Sequence, residues 1–357
     1  MTIDAVVAGA GLWGSTVARR LADEGRKVLV VERRDAVGGN VRCEDSGGIE
    51  IHVYGSHIFH THLPDVWKFV NRFVSFNGYQ NKVLARFGGK TYFLPLGLAL
   101  INKFFGVELS PSEVADFMSD EKHSSAIFDA FFRGYTSKQW GRPPEEIDPS
   151  IIKRVPVRSN YDINYFNDYW QGIPSDGYNS LFANLLDHPN IEVRCSTAFR
   201  LDNGVFKAGA DVLPDVPVFY SGPIDELFGF KFGSLPWRTL RFEREELAVR
   251  DFQGTSVVNY TEASIPYTRI HEFKHYHPER KAVMDEARTV IMREYSAQWK
   301  EGDEPYYPVE TEESLALLAR YREEAAKLPN LRIGGRLGEY KYYDMDNSVA
   351  SALGPIF

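Results

Sequence analysis

The residues best suited to chemistry are three glycines near the start of the chain and an acidic residue that follows them. Gly9, Gly11 and Gly14 form the pattern Gly-x-Gly-x-x-Gly, and Glu32 comes after the next apolar run. Glycines at this spacing permit a tight turn, a close approach of backbone to a pyrophosphate, and close packing of a helix on a strand. The acidic side chain is placed to accept hydrogen bonds from a ribose. The spacing therefore predicts a dinucleotide-binding site.

The elements that must position these residues are a strand, a turn and a helix. Residues 4–8 are an apolar run of strand type, the helix is expected over about 15–23, and a second strand is expected over 27–31. A pyrophosphate would then lie at the helix N-terminus, on free N–H groups and the positive end of the helix dipole. A chance glycine turn is the alternative, and the flanking strand and helix make it the weaker one.

Composition narrows the class of protein. The chain has 357 residues, of which 43% are apolar and 14% aromatic, which is enough for two or three closely joined domains. A net charge of −8 gives no footprint for nucleic acid, so an anionic ligand must be held by local arginines. The chain has no long apolar run and no charged leader, so we expect no membrane span and a cytoplasmic location. Cys43 and Cys195 lie far apart, and neither a disulfide nor a zinc site is expected.

A second glycine pair favours FAD over NAD as the dinucleotide. Gly38 and Gly39 follow Glu32, and residues 32–40 resemble the FAD-binding fold of the amine-oxidase and glutathione-reductase type, in which such glycines let backbone approach the flavin. His57 and His60 could instead be metal ligands. Residues three apart in an extended segment face opposite sides, however, and no third ligand is evident, so no metal is expected.

The middle of the chain reads as a second sheet with a helical insertion. A helix is expected over 64–76, and a hairpin over 81–95 turns at Gly88-Gly89 and begins an antiparallel sheet. Residues 98–132 have a helical pattern, with a helix start at 110–113. This segment is interpreted as a small helical module.

A series of short motifs follows in order over nearly the whole chain, at residues 54–61, 134–141, 164–166, 220–225, 266–269, 305–308 and 335–346. Together with the glycine pattern they resemble the UDP-galactopyranose mutases, bacterial flavoenzymes that interconvert UDP-galactopyranose and UDP-galactofuranose for cell-surface glycans. The resemblance implies an isomerase that uses reduced FAD. In the family, flavin N5 attacks the anomeric carbon, UDP leaves, and the sugar opens as a flavin iminium and recloses. The implied partners are UDP-galactose or a close UDP-sugar and an external reductant such as NAD(P)H.

The same resemblance implies a catalytic set of Arg154, Arg269, His57 and Arg336. The departing UDP carries a diphosphate, and forked guanidinium donors suit it, which assigns Arg154 and Arg269 to that role. Arg336 would favour the electron-rich reduced flavin. Arg154 lies on a connection over 147–160 that resembles a mobile lid. Surface ion pairs are the alternative for both diphosphate arginines.

The resemblance also implies which side chains contact the ligands. Substrate contacts are expected from Phe131, Tyr135, Thr136, Trp140, Tyr165, Asn81, Asn259, Arg269, Tyr307 and Tyr342. Cofactor contacts are expected from Gly9, Gly11, Leu12, Gly14, Glu32, Arg33, Gly39, Asn40, His57, Ile58, Arg336, Tyr342, Asp344 and Met345. It stays open which of the aromatics are core residues, and Asp344 could also cap a helix over 345–353.

The expected fold class is α/β, with a Rossmann-like FAD-binding domain, a small inserted helical domain and an antiparallel sheet domain. The FAD domain takes 1–78, 180–235 and 312–357, the helical domain takes 97–150 with the lid after it, and the sheet domain takes 79–96, 151–179 and 236–311. Two departures from the family pattern stand out. The helical module between 105 and 131 is shorter by about one helix, and Ser56 replaces a residue that is usually Pro or Ala.

Other functions remain open at this point. An ordinary flavin oxidase or dehydrogenase would have the same glycine pattern, and a non-catalytic flavin-binding protein would fit the shortened module. A mutase acting on a related UDP-sugar would need the same diphosphate arginines, because discrimination depends on the pocket around a few hydroxyls. The assembly state, with a homodimer as one option, is likewise open.

Overall fold

The computed structural model describes residues 2–147 and 155–355. Arg154 and the centre of the expected lid lie outside these residues. The strands are β1 (Ala5–Ala8), β2 (Val28–Val31), β3 (Cys43–Ser46), β4 (Ile49–His52), β5 (Phe59–Thr61), β6 (Val83–Phe87), β7 (Lys90–Phe93), β8 (Trp170–Gly172), β9 (Ile191–Arg194), β10 (Phe199–Asp202), β11 (Val205–Ala208), β12 (Asp211–Val212), β13 (Val218–Tyr220), β14 (Trp237–Leu247), β15 (Val257–Tyr260), β16 (Arg269–Glu272), β17 (Thr289–Gln298), β18 (Tyr307–Pro308) and β19 (Leu331–Ile333).

Helices connect and cover these strands. They are α1 (Leu12–Asp23), α2 (Pro64–Val70), α3 (Leu98–Phe105), α4 (Val114–Ser119), α5 (Glu121–Ile127), α6 (Gly134–Trp140), α7 (Tyr178–Leu186), α8 (Ile224–Leu227), α9 (Lys281–Asp285), α10 (Glu312–Ala326), α11 (Gly335–Glu339) and α12 (Met345–Leu353). A π-helical turn, Phe128–Arg133, joins α5 to α6. In the described part of the chain, no helix combines the length and hydropathy that crossing a bilayer requires.

The first sheet is parallel and has the order β19-β13-β1-β2-β9. Its central strands β1 and β2 are buried along their whole length, as expected for parallel strands covered on both faces. Helices α1, α7 and α12 cover one face, and the small sheet β10-β11-β12 together with the end of α10 covers the other. The expected strand, glycine turn and helix at the N-terminus are confirmed. Helix α1 begins earlier than expected, because Gly11 itself is its N-cap.

The second sheet has the order β18-β14-β17-β16-β15-β6-β7 and is mostly antiparallel. Its longest pair is β14 with β17, and the expected hairpin is present as β6 and β7, with Gly88 and Gly89 both at positive φ in the turn. The expected antiparallel sheet is present, with one parallel pair in it, formed by β15 and β6. A long excursion of chain separates these two strands, so their directions are not tied by a hairpin.

Two expected elements are shorter than the sequence suggested. The helix expected over 64–76 ends at Val70, where the Asn71 side chain donates to the Trp67 carbonyl (2.7 Å). The alternating stretch 49–61 is two strands, β4 and β5, separated by a loop at Gly55, which has φ +89°. Strand β5 pairs with β8, so this part of the 151–179 segment lies against the 49–61 stretch and outside the second sheet.

The helical module packs around its own apolar core. Helices α3 to α5 and the π-helical turn contribute Leu98, Ile101, Val114, Ile127 and Phe131, and the β6-β7 hairpin contributes Ala85 and Tyr92. A larger core, which includes Phe59, Tyr178 and Tyr276, joins the parallel sheet's helices to the second sheet. The two sheets are therefore held together by continuous packing, and the space left between them forms the site described next.

Candidate functional site

One large cavity of about 1280 Å³ lies between the two sheets. Its walls are the β1-α1 turn, the loop from Gly55 to Ile58, helix α6, the middle of the second sheet, and the segment from Gly335 to Met345. Pockets for drug-sized ligands measure roughly 300–1,000 Å³, so this cavity has room for a cofactor and a second ligand together.

Close backbone packing shapes the cavity at the β1-α1 turn. A Cβ built on Gly39 would lie 2.9 Å from the Gly11 Cα, and Gly39 has φ +56°, so the two glycines face each other across a space that a side chain would fill. A Cβ on Gly14 would lie 2.0 Å from the Gly9 carbonyl oxygen, so Gly14 serves close packing inside the turn and does not line the cavity. No side chain caps the N-terminus of α1, which leaves its dipole available to an anion.

Glu32 is buried and joins the glycine turn to β2. One carboxylate oxygen accepts from the Ala10 N–H (2.8 Å) and the other accepts from the Arg34 N–H (2.9 Å). Each carboxylate oxygen retains a second acceptor position, so a ribose hydroxyl can still donate to it. The expected ribose acceptor thus has a structural role that the sequence pattern did not indicate.

Two buried donors near this turn lack partners among the described residues. They are the Arg34 Nη1 and the Trp13 Nε1, and both residues line the cavity. Arg34 stacks on Tyr54 at 4.4 Å, and the Trp13 ring lies against the Gly334-Gly335 backbone, where a Cβ on Gly334 would come within 2.1 Å. Unpaired buried donors beside a helix N-terminus and a glycine cradle fit a ligand that carries phosphate and ribose oxygens.

The loop from Gly55 to Ile58 forms part of the cavity wall. The His57 N–H donates to the His52 Nδ1 (3.0 Å), and the His57 Nδ1–H donates to the Gly55 carbonyl (2.7 Å). Burial, followed by the positive charge of Arg336, lowers the pKa of His57 to about 4. His57 is therefore neutral near pH 7, with its Nε2 as an acceptor.

The register of the second sheet brings Asn259, Arg269 and Glu294 side by side on β15, β16 and β17. All three line the cavity. The Arg269 Nη2 donates to the Tyr135 hydroxyl (2.8 Å), and its Nε lies 3.1 Å from a Glu294 carboxylate oxygen. The buried Asn259 Oδ1 has no partner among the described residues, so it offers an acceptor to a ligand hydroxyl.

Ion pairing fixes the charge states of the side chains that meet here on the second sheet. Burial would raise the pKa of Glu294, but the Arg269 guanidinium and the His271 hydrogen bond outweigh burial and hold that pKa below its usual range. Burial raises the pKa of Tyr135 to about 12, so its hydroxyl remains a donor. The site thus offers a guanidinium and a phenol together, which suits an anion such as a diphosphate.

Helix α6 forms part of the rim of the cavity and is anchored to the second sheet. A Cβ on Gly134 would lie 2.4 Å from the Thr261 carbonyl, so the helix can start only with glycine there. The Lys138 Nζ donates to the carbonyls of Tyr260, Glu262 and Tyr267 at 2.6–3.0 Å. This anchoring turns Tyr135, Thr136 and Trp140 toward the cavity.

With the geometry described, the chain can be compared with known proteins. A family model described as UDP-galactopyranose mutase matches residues 130–342, and one described as an NAD(P)-binding Rossmann-like domain matches residues 7–73. A probable UDP-galactopyranose mutase of Klebsiella pneumoniae is 38% identical, covering 98% of this chain and 92% of that protein. The chain belongs to the UDP-galactopyranose mutase family. It is accordingly an isomerase with a dinucleotide-binding domain of the flavoenzyme kind.

Two further known proteins are similar to this chain. A dTDP-fucopyranose mutase of Escherichia coli is also 38% identical, covering 98% of this chain and 96% of that protein. A solved structure of a reduced UDP-galactopyranose mutase superposes with a TM-score of 0.72 at 18% identity, covering 99% of this chain and 94% of that chain. The structural match supports the mixed α/β fold with parallel and antiparallel sheets.

The residues expected at the site of a UDP-galactopyranose mutase can now be located in the structure. Most of the expected residues line the one cavity, namely Gly9, Gly11, Leu12, Glu32, Arg33, Gly39, Asn40, His57, Ile58, Asn81, Tyr135, Thr136, Trp140, Tyr165, Asn259, Arg269, Tyr307, Arg336, Tyr342, Asp344 and Met345. Tyr307 and Tyr342 stack at 5.9 Å. Arg33 pairs with Glu226 and Glu304, and Asn40 accepts from Arg34.

Two expectations besides that for Gly14 have a different outcome. Phe131 is 4% exposed and packs against Phe87, Tyr92 and Phe104, so it lies in the core of the helical module and not on the cavity wall. Asp344 occupies the N-cap position of α12, but its side chain does not accept a capping hydrogen bond. Arg154 lies outside the described residues.

Several cavity residues were missed by the sequence reading. Glu294, Trp13, Arg34 and Ser221 line the cavity, and a Cβ on Gly9 would lie 2.3 Å from the Ser221 Oγ. Arg34 could have been noticed, since it follows Glu32 and Arg33 directly. Glu294 could not, because only the pairing of β16 with β17 places it beside Arg269.

Proposed function

We propose that this chain interconverts UDP-galactopyranose and UDP-galactofuranose with reduced FAD as its cofactor. The observation that carries the proposal is the single cavity that joins the glycine cradle of the β1-α1 turn to Arg269 and its tyrosine partner. A dinucleotide lying in the cradle would thus share one continuous cavity with a sugar nucleotide whose diphosphate faces Arg269. The name of the Klebsiella pneumoniae relative supports the choice of substrate.

The residues suited to FAD are those of the cradle and of the 335–345 segment. The N-terminus of α1, with Gly11 and Gly39, would hold the pyrophosphate, and Glu32 would accept from the adenosine ribose. A bound reduced flavin would supply the nucleophile for the anomeric carbon, so no side-chain nucleophile is needed. Arg336, on α11, would place positive charge near the flavin ring and favour the electron-rich reduced form.

The residues suited to the leaving group surround Arg269. Its forked guanidinium donors match a phosphate, and Tyr135, Tyr307 and Tyr342 add hydroxyls along the same wall. Burial raises the pKa of Tyr307 and Tyr342 above the usual tyrosine value, which keeps both hydroxyls protonated as donors. Arg154 remains a proposed second cation for the diphosphate.

The residues around the sugar must hold hydroxyls and exclude water. Asn259 offers an unpartnered buried acceptor, and Asn81 is buried at the same wall. The neutral His57 presents an acceptor nitrogen, which can accept a hydrogen bond from a sugar hydroxyl while the ring opens and closes. Trp140 and Tyr165, at the rim, would shield the reacting atoms from solvent once ligand is bound.

The domain division stays part of this proposal. We assign the FAD domain to 1–78, 180–235 and 312–357, because these segments supply every strand of the parallel sheet. The helical domain at 97–150 would present α6 to the substrate, and the lid would follow it. The second sheet would supply the substrate wall from 236–311.

A second candidate substrate is a thymidine diphosphate sugar that lacks the 6-hydroxyl. The Escherichia coli relative named dTDP-fucopyranose mutase is as similar to this chain as the Klebsiella relative. Both substrates carry a diphosphate and a galacto-configured ring, so Arg269 would serve either. Discrimination would come from the nucleobase and from the group at sugar carbon 6.

The test uses the purified FAD-loaded protein under anaerobic conditions. After reduction with dithionite or NADPH, it is incubated in parallel with UDP-galactofuranose and dTDP-fucofuranose, and products are resolved by chromatography. Conversion of UDP-galactofuranose to the pyranose, without net oxidation of substrate, is the expected result. Oxidised enzyme provides the matched control and should be inactive.

Other outcomes would overturn the proposal in distinguishable ways. Faster turnover of dTDP-fucofuranose would assign the deoxysugar instead. Oxygen consumption that depends on an alcohol or amine would indicate an oxidase. Bound FAD without conversion of either sugar would indicate a non-catalytic flavin protein.

A further inference from the structure

A chain of buried hydrogen bonds runs beneath the loop from Gly55 to Ile58. The Tyr276 hydroxyl donates to the Ser56 Oγ, which lies 2.5 Å from the His271 Nδ1. The His271 Nε2 lies 3.0 Å from a Glu294 carboxylate oxygen. Tyr276, His271 and Glu294 are buried, whereas Ser56 is half-buried and lines the cavity. The chain therefore connects the cavity wall to the interior of the second sheet.

The donor and acceptor in each bond of this hydrogen-bond chain follow from its last acceptor, the Glu294 carboxylate. The Glu294 carboxylate can only accept, so the His271 Nε2 must carry the proton between them. Burial lowers the pKa of His271 despite the neighbouring carboxylate, so the ring is neutral and its Nδ1 is an acceptor. Ser56 already accepts from Tyr276, so its own hydroxyl proton points to that Nδ1. Each group makes one donation, and all donations run toward Glu294.

The backbone of the loop passes close to the same carboxylate at Gly55. Gly55 has φ +89°, and a Cβ built on it would lie 3.7 Å from Glu294 Oε2 and 3.2 Å from the Phe242 ring. The His57 amide, two residues on, is held by the His52 Nδ1 at 3.0 Å. Ser56 therefore fixes the loop to the second sheet through its side chain, between the close approach at Gly55 and the hydrogen bond of the His57 amide.

Glu294 also forms an ion pair with Arg269. The carboxylate oxygen that does not face His271 lies 3.1 Å from the Arg269 Nε and accepts from the Thr268 hydroxyl (3.3 Å). A carboxylate held on one side by His271 has a fixed plane, and it directs the guanidinium toward Tyr135 and the cavity. A change at Ser56 would thus reach Arg269 through two intervening side chains.

We propose that Ser56 and His271 are positioning residues, which act through Glu294 to couple the loop beside the flavin site to the arginine that binds the diphosphate. This inference deepens the proposed function and rests on it, because it concerns the same cavity. Neither Ser56 nor His271 has to touch the sugar. Their effect is to keep the loop and the Arg269 guanidinium in one mutual arrangement, so that their removal weakens diphosphate binding without removing a binding group.

The experiment breaks the hydrogen-bond chain at either of its two central links. The effect is measured as UDP binding, by calorimetry on oxidised, FAD-loaded protein. Ser56→Ala removes the hydroxyl. His271→Gln can still donate to Glu294 but loses the acceptor for Ser56, whereas His271→Asn can accept from Ser56 but loses the link to Glu294. We expect each variant to bind UDP about tenfold more weakly, which corresponds to about 1.4 kcal/mol.

The double variant Ser56→Ala/His271→Gln is the decisive one. Because both changes break the same link, it should bind UDP as the His271→Gln protein does. Additive losses would mean that the two residues act separately and would overturn the proposal. Unchanged UDP affinity in Ser56→Ala would overturn it as well.

A matched control separates positioning from a general loss of stability. Ser256 is a buried serine that hydrogen-bonds the Tyr79 hydroxyl, and Tyr79 packs edge-on against Tyr276 at 5.3 Å. Ser256→Ala therefore removes a similar buried hydroxyl next to the chain without breaking it. It should lower thermal stability about as much as Ser56→Ala and leave UDP affinity within twofold of wild type. An equal loss of UDP affinity in both variants would assign a merely structural role to Ser56.

A second measurement does not depend on UDP at all. In protein labelled with nitrogen-15 arginine, the Arg269 Nε–H signal, assigned by its loss in Arg269→Lys, should shift in Ser56→Ala and His271→Gln but not in Ser256→Ala. If wild type fails to bind UDP while these shifts occur, the proposed function falls and the coupling stands. If wild type binds UDP and the signal does not move, the coupling alone falls.

Discussion

The two ends of the cavity are built in different ways. The end formed by the β1-α1 turn is made of backbone, with Gly11 facing Gly39 and the N-terminus of α1 uncapped. The end formed by the second sheet is made of side chains that meet across strands, with Arg269 paired to Glu294 on the neighbouring strand and to Tyr135 on α6. The first end depends on local geometry, and the second depends on long-range register.

Because of this difference, the two ends of the cavity respond in opposite ways to amino-acid substitution. A backbone cradle has no side chain to remove, and it fails when a side chain is added. A row of charged side chains fails when one member is removed, because its partner is left buried and unpaired. Substitutions at each end of the cavity test this contrast.

The largest effect is expected from Gly39→Val. The new Cβ would lie 2.9 Å from the Gly11 Cα, in a residue at φ +56° that a β-branched side chain rarely adopts. We expect purified protein without flavin colour and FAD binding weakened at least about 100-fold, measured by absorbance and fluorescence titration. Gly25→Asn is the control, since Gly25 also has positive φ but nothing within 4 Å of its Cβ position. Full flavin content in Gly39→Val would show that the cradle is not the cofactor site.

The next effect is expected from Arg269→Ala. Loss of one member of a buried charge pair costs about 2–5 kcal/mol, so kcat/KM should fall by about 30-fold to about 5,000-fold, while FAD content stays normal. Steady-state kinetics on reduced enzyme measures the change. Arg293→Ala is the control, because Arg293 lies on the neighbouring strand β17 but pairs with the exposed Glu245, and it should change kcat/KM less than twofold. Equal effects of the two variants would contradict the assignment of Arg269 to the diphosphate.

The contrast also explains what could be predicted from the sequence. The glycine turn, β1, α1 and the β6-β7 hairpin follow from residues that are neighbours in the chain, and Glu32 follows from its spacing to them. The pairing of β15 with β6 and the placement of Glu294 beside Arg269 follow from strand register, which no local pattern specifies. The resemblance to the family supplied Arg269 and the tyrosines, which residue spacing alone would not have selected.

A smaller effect concerns the pH dependence of stability. His52 is fully buried, and burial lowers its pKa to about 3 from the usual 6.5. Between these two values the unfolded chain binds the proton and the folded chain does not, so the free energy of unfolding falls as pH falls, by about 1.4 kcal/mol per pH unit from this residue. In His52→Asn, whose amide oxygen can still accept from the His57 N–H, this contribution disappears.

Urea unfolding of both proteins at pH 7, 6 and 5 measures the difference. The stability of wild type should decline more steeply than that of His52→Asn over this range, by roughly 1 kcal/mol between pH 6 and 5. Parallel curves would mean that His52 does not resist protonation in the folded chain. The loop that holds His57 would then owe its position to something other than a neutral His52.

The smallest effect distinguishes Phe131 from Trp140, two aromatic residues for which the family resemblance implied substrate contacts. Phe131 packs within the helical module, whereas Trp140 is 43% exposed and lines the cavity. Phe131→Leu should therefore lower the free energy of unfolding by about 1 kcal/mol and leave UDP affinity unchanged, since a smaller apolar side chain in the core affects packing alone. Trp140→Leu should do the reverse, with little loss of stability and several-fold weaker UDP binding. If Phe131→Leu instead weakened UDP binding with stability intact, the wall formed by α6 would have to extend to the π-helical turn, and the helical module would be part of the binding surface and not its support.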